Sequence, residues 1–230
     1  MIEVFCLLLL TNIILSISLI GYGKIVLRLI NLNIQNHIDY FSIYFILGLS
    51  ISSFLSIIFS LYVPISDNIS ILYHILGIIF FASFIDYKKY DKIFKSVIII
   101  SFLATIFSFY SKNSDDFAYH LKTILFYKEN ILKKNLINNI DDVRLAYNSV
   151  WFTVNSLIAL KSIKVSFFFI SSILFSSIIY DLFNQFYKNI KSKKITLSSL
   201  YSFFSLLYLL GVVGKYSNMG SDLPGQAIII

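Results

Sequence analysis

The chain has 230 residues, of which 57% are hydrophobic and only 13% charged, at a mean hydropathy of +0.80. This composition excludes an ordinary water-soluble domain, and 23 Phe, 16 Tyr and one Trp exclude a disordered chain, because so many aromatic groups need a core or a bilayer. The formal charge of +7 does not argue for nucleic acid, since the lysines sit in short clusters between apolar runs, as membrane topology is encoded. Cys6, the single cysteine, has no partner in the sequence for a disulfide or a metal motif.

Crossing about 30 Å of hydrocarbon takes about 20 helical residues. Charge-free runs at 4–23, 40–66 and 68–85 predict three spans, with Pro64 marking the exit of the second. Runs at 96–111, 165–180 and 195–214 predict three more, the fifth extending through Leu182 and Phe183. A seventh apolar run opens after Pro224 and is cut off, so the chain is expected to be the N-terminal part of a longer protein. Glu3 stands where a secretory signal would be basic, so the first run is expected to remain as an anchor. The expected fold class is all-α: a polytopic helical membrane protein with six complete spans, the start of a seventh, and interfacial helices in one long loop. Three regions follow: four spans in 1–111, an outer loop in 112–164, and two spans with the start of a third in 165–230.

Lys24 and Arg28 follow span one, Lys88, Lys89, Lys92 and Lys95 follow span three, and Lys188, Lys191, Lys193 and Lys194 follow span five. Positive loops stay in the cytoplasm, so the amino terminus and the even-numbered connections are expected outside. The loop 112–164 carries eight basic residues yet falls outside, where a long translocated segment escapes the charge rule.

That loop is the one place with room for a site. It opens with SKNSDDFAYH, residues 111–120, leading into a helix predicted to run to about Asn130 with Ser114 as its N-cap. Asp116, His120, Thr123 and Tyr127 share one face of that helix, with Tyr119 close to both acids. The plainer account is that Asp115 and Asp116 complement a helix dipole, worth about 0.3–1 kcal/mol each. Arg144, one of two arginines beside 17 lysines, follows in a polar connector; its fork suits phosphate or carboxylate, and Asp141 and Asp142 are its plainer partners. In 145–160, the polar residues Asn148, Ser149, Thr153, Asn155 and Ser156 fill an arc of about 160°. Such a helix is expected to lie in the interface, with Trp151 at headgroup level; an ordinary short span is the other reading.

An acidic pair after an early span, an aromatic residue and His on the next helix, and then an amphipathic helix resemble the GT-C superfamily of polytopic glycosyltransferases. The nearest likeness is to bacterial members with an acidic pair and a YH pair in an outer loop, matched here by Asp115, Asp116, Tyr119 and His120. GKYSNMGSDLP at 214–224 adds Asp222 at the mouth of a later span. The Lys-Pro-Pro often seen in the family's outer loop is absent, and four spans precede the acidic loop where many members have one. The resemblance covers residues 90–230 and implies transfer of a sugar from a polyprenyl-phosphate donor to a glycan, lipid or protein acceptor on the outer face of a bacterial inner membrane. Asp115 or Asp116 would be the catalytic base, and His120, Arg144 and Lys215 would hold phosphate, with Tyr119 and Asp222 lining the substrate. No cofactor is assigned, and the carboxylates leave the role of a divalent cation open. Two other classes remain: a transporter or flippase, whose mark is ionisable groups within spans, and a polysaccharide polymerase or ligase, which relies on loop arginines. Within the spans only His74 qualifies, and it is expected to be a hydrogen-bonded packing residue.

Overall fold

A computed structural model describes residues 2–30, 41–83, 90–108, 121–131, 150–163, 169–193 and 196–211. Every regular element among them is helical: α1 (Ile2–Leu29), α2 (Phe41–Tyr62), α3 (Asp67–Ser83), α4 (Tyr90–Ser108), α5 (Leu121–Glu129), α6 (Val150–Ile158), α7 (Phe169–Lys191) and α8 (Leu197–Gly211). Two of these helices, α1 and α2, are long and apolar enough to cross a membrane, and α3 and α8 are shorter apolar helices.

The helix ends follow from local chemistry. Pro64 has no N–H to donate and restricts the residue before it, so α2 stops at Tyr62. α3 begins two residues after Ile65, with Asp67 in its first turn, where a negative charge meets the positive end of the dipole. α7 ends where Lys193 turns left-handed at φ 53°, a C-terminal stop position. Thr196 and Ser199 exchange hydrogen bonds, Thr196 N to Ser199 Oγ at 2.8 Å and Ser199 N to Thr196 Oγ1 at 3.2 Å, and so cap α8.

α1 is the hub and packs against α2, α3 and α4; α4 continues onto α7, and α7 onto α8. The α1–α2–α3 seam is closed by glycine. A Cβ on Gly21 would overlap the Gly77 carbonyl oxygen, and one on Gly48 would overlap that of Leu19, so the backbones themselves touch. Polar side chains pair between helices in the interior: Asn12 Nδ2 donates to Thr105 Oγ1 at 2.9 Å, Ser16 and Ser101 share a bond of 3.1 Å, and the Ser108 and Ser172 hydroxyls meet at 3.2 Å. The outer faces carry Phe54 on α2, Ile75 and Ile79 on α3, Phe102 on α4 and Phe204 on α8, all exposed. Buried hydroxyls thus lie among an apolar core that includes Leu19, Phe45 and Phe175, while large aliphatic and aromatic groups also cover the outside.

At one end of the bundle, Asp181 on α7 accepts from Phe41 N at 2.9 Å and Ser42 N at 2.6 Å, satisfying orphan donors at the start of α2. Ser96 on α4 bonds Tyr180 there, and Lys24 lies over the Phe81 ring. At the other end, α5 and α6 pack on each other, and α6 fits against α2 and α3. The nine residues of α6 rise about 13 Å, well short of a bilayer. The polar arc of α6 does not face headgroups. Thr153 bonds Ser56 on α2 at 2.9 Å, and Ser156 donates to the Ile124 carbonyl on α5 at 3.0 Å, so the described part of this arc is buried in protein. Asn148 and Ser149 lie outside the described residues.

Candidate functional site

Asp67, Ser70 and His74 recur at intervals of three and four along α3 and therefore share one face. All three meet α5 or α6. Lys128, near the end of α5, donates from Nζ to Asp67 Oδ1 at 2.9 Å and to Ser70 Oγ at 2.8 Å. The turn after α6 closes on the same carboxylate: Lys161 N donates to Oδ1 at 2.9 Å and Ser162 N to Oδ2 at 3.3 Å. Lys161 Nζ pairs in turn with Glu129. One helical turn beyond Ser70, His74 Nε2 bonds the Ile158 carbonyl at 2.8 Å, satisfying a C-terminal carbonyl of α6, while its Nδ1 has no hydrogen-bond partner among the described residues. His74 is thus a hydrogen-bonded packing residue, as its isolation in the apolar run suggested.

The electrostatics of this cluster follow from burial. The Lys128 side chain is 2% exposed and that of Asp67 30%. Burial draws the Lys128 ammonium below its ordinary value, and the Asp67 hydrogen bond and charge only partly oppose this. Burial would raise Asp67, but the Lys161 N–H, the Lys128 hydrogen bond and charge, and the Ser162 N–H together hold it below the usual carboxylate range. The two shifts pull opposite ways on protonation of the pair. The geometry favours the ionised form, because the carboxylate receives three donors. Lys161 is raised by its bond to Glu129. Two carboxylates and two ammonium groups balance, so the quartet offers a ligand no net charge. Its chemistry is cohesion: removing one member of a buried pair costs about 3–5 kcal/mol, because the other is left charged and alone.

The sequence-predicted site residues do not fall in this cluster. Asp115, Asp116, Tyr119, His120, Arg144, Lys215 and Asp222 all lie outside the described residues. Of the helical face assigned to them, Thr123 and Tyr127 are described, and both are buried. Among the described residues no group of three or more His, Cys, Asp or Glu could hold a metal ion. Asp67 served the sequence reading only as a span boundary and Lys128 only as the start of a polar connector. The spacing of Asp67, Ser70 and His74 on α3 was the available signal for their shared face.

The family model described as a domain of unknown function (DUF8201) matches residues 5–230, and the chain belongs to that family. No curated protein and no solved structure matches it.

Proposed function

We propose that this DUF8201 chain is a multi-pass membrane protein of the GT-C type that moves a sugar from a polyprenyl-phosphate donor to an acceptor on the outer face of the membrane. In this reading α1, α2, α3, α4, α7 and α8 are the six spans. Their surfaces and seams support it: exposed Ile, Leu and Phe suit lipid, and hydroxyl pairs between helices suit an interior without water. The observation that carries the reading is the position of α5. This helix starts one residue after His120 and is tied by Lys128 to Asp67, at the bundle end opposite Lys24, Lys92, Lys95, Lys188 and Lys191. With the lysine-rich end in the cytoplasm, α5 and the acidic pair that precedes it belong to the outer side.

The chemistry then assigned to the loop is proton removal from the acceptor by Asp115 or Asp116 while the donor phosphate departs. His120, Arg144 and Lys215 neutralise that phosphate, and Tyr119 and Asp222 orient the substrate. Asp115→Asn and Asp116→Asn in the intact protein, assayed with labelled polyprenyl-phosphate hexoses and pentoses, are expected to abolish transfer singly or together. Undiminished transfer by the double variant would remove the proposed base. The Asp67–Lys128 pair, about two turns from His74 on α3, favours a second reading, a carrier of lipid-linked or small solutes. Uptake of labelled solute into vesicles without sugar transfer would select it.

A further inference from the structure

We infer that α5 and α6 form a separately docked unit, latched onto the α3 stripe by Asp67, that lifts away while the α1–α2–α3 core stays closed. The two kinds of seam in the molecule differ in what opening them costs. Between α1, α2 and α3, backbone meets backbone at Gly21, Gly48 and Gly77, and no water molecule replaces that contact. The seat of α5 and α6 joins polar contacts to apolar ones, with Ile124, Phe152, Val154 and Leu157 buried in it. Ser56, Asp67, Ser70 and His74 on the bundle meet Thr153, Lys128, the Lys161 N–H and the Ile158 carbonyl on the docked side. These hydrogen bonds can be exchanged for ones to water with a small net change, so opening this seat costs chiefly its apolar contacts, whereas the glycine seam has no such exchange to offset its loss.

His74 gives the second observation. It is 8% exposed, and its Nδ1 faces no hydrogen-bonding group among the described residues, so the closed state strands a polar atom that lifting would release. Asp67 holds the unit shut because its carboxylate joins the start of α3, the end of α5 and the turn after α6 at one point. This device stands whether or not the protein transfers sugar.

The test uses single cysteines in a Cys6→Ser background, in detergent micelles so that membrane sidedness does not enter. Ser156→Cys reports on the docked unit and Ser18→Cys on the glycine seam, where Ser18 on α1 packs against Gly77 on α3; both serines are fully buried. With Asp67 intact, a maleimide is expected to label Ser156→Cys faster than Ser18→Cys, and equal rates would overturn the proposal. Adding Asp67→Asn, which leaves Lys128 buried and unpaired, is expected to speed labelling of Ser156→Cys roughly tenfold or more and leave Ser18→Cys slow. Asp67→Asn with Lys128→Met removes the stranded charge and is expected to restore slow labelling. An unchanged Ser156→Cys rate, a parallel rise at both sites, or failure of the double variant to restore slow labelling would each refute the latch.

Discussion

Gly21→Ala probes the closest contact in the bundle. The added methyl would overlap the Gly77 carbonyl oxygen and stand 2.9 Å from Phe81 N and 3.0 Å from the Gly77 carbonyl carbon. All three atoms are backbone, so no side chain can swing aside. Restoring ordinary separations of about 3.5–4 Å from the carbonyl oxygen requires α1 and α3 to part by roughly 1.5–2 Å along that contact. A gap of that size forfeits more than half of each dispersion contact nearby, and overpacking of this kind costs about 3 kcal/mol. Alanine returns about 1 kcal/mol of helix propensity, leaving a net loss of about 2 kcal/mol. Thermal unfolding in detergent, followed by far-UV circular dichroism, should show a midpoint lowered by roughly 4–8 °C. Gly211→Ala is the matched control, because a Cβ there meets nothing within 4 Å among the described residues, and it should leave the midpoint unchanged or slightly raised. If Gly21→Ala unfolds at the same temperature as the control, the backbone contact does not hold the two helices together.

Two further outcomes are expected. Asp181→Ala removes the acceptor for Phe41 N, Ser42 N and Ser42 Oγ and should cost about 1–3 kcal/mol, seen as faster hydrogen exchange at Phe41 and Ser42 than in the parent; equal exchange would show that the cap is dispensable. The folded pKa of Asp67 lies below its unfolded value, so the stabilisation it supplies with Lys128 and Lys161 is complete above the ordinary carboxylate range and is lost as pH falls through the lower folded value. Labelling of Ser156→Cys at a fixed thiolate concentration should therefore stay slow down to mildly acidic pH and accelerate only below the ordinary carboxylate range; acceleration already between pH 7 and 5 would refute this.

The helices were legible in the sequence because each apolar run is long and free of charge, and each predicted span contains most of one helix. The ends were less so. α1 continues past Lys24 to Leu29, α4 starts at Tyr90 rather than 96, and α7 runs on to Lys191. A charge marks where the apolar run stops, whereas the backbone ladder stops only at a proline, a cap or a left-handed residue. The long-range partners were hidden for a different reason. Lys128 and Asp67 lie 61 residues apart, and Asp181 and Phe41 lie 140 apart, so no local period connects them. The amphipathic stretch at 145–160 revealed a two-faced helix, but two-facedness does not say whether the wet side meets lipid headgroups or the hydroxyls of a neighbouring helix.

The buried serines bear on how such a chain is assembled. Ser52 donates to the Gly48 carbonyl, Thr105 to that of Ser101, Ser108 to that of Ala104 and Ser176 to that of Ser172, each one turn back on its own helix. A hydroxyl satisfied in this way travels with its helix and asks nothing of a neighbour. Under the membrane reading, these four hydroxyls strand no donor when their helices leave the insertion machinery and rest alone in lipid, whereas the Asn12 amide on α1 meets its partner only when α4 arrives with Thr105.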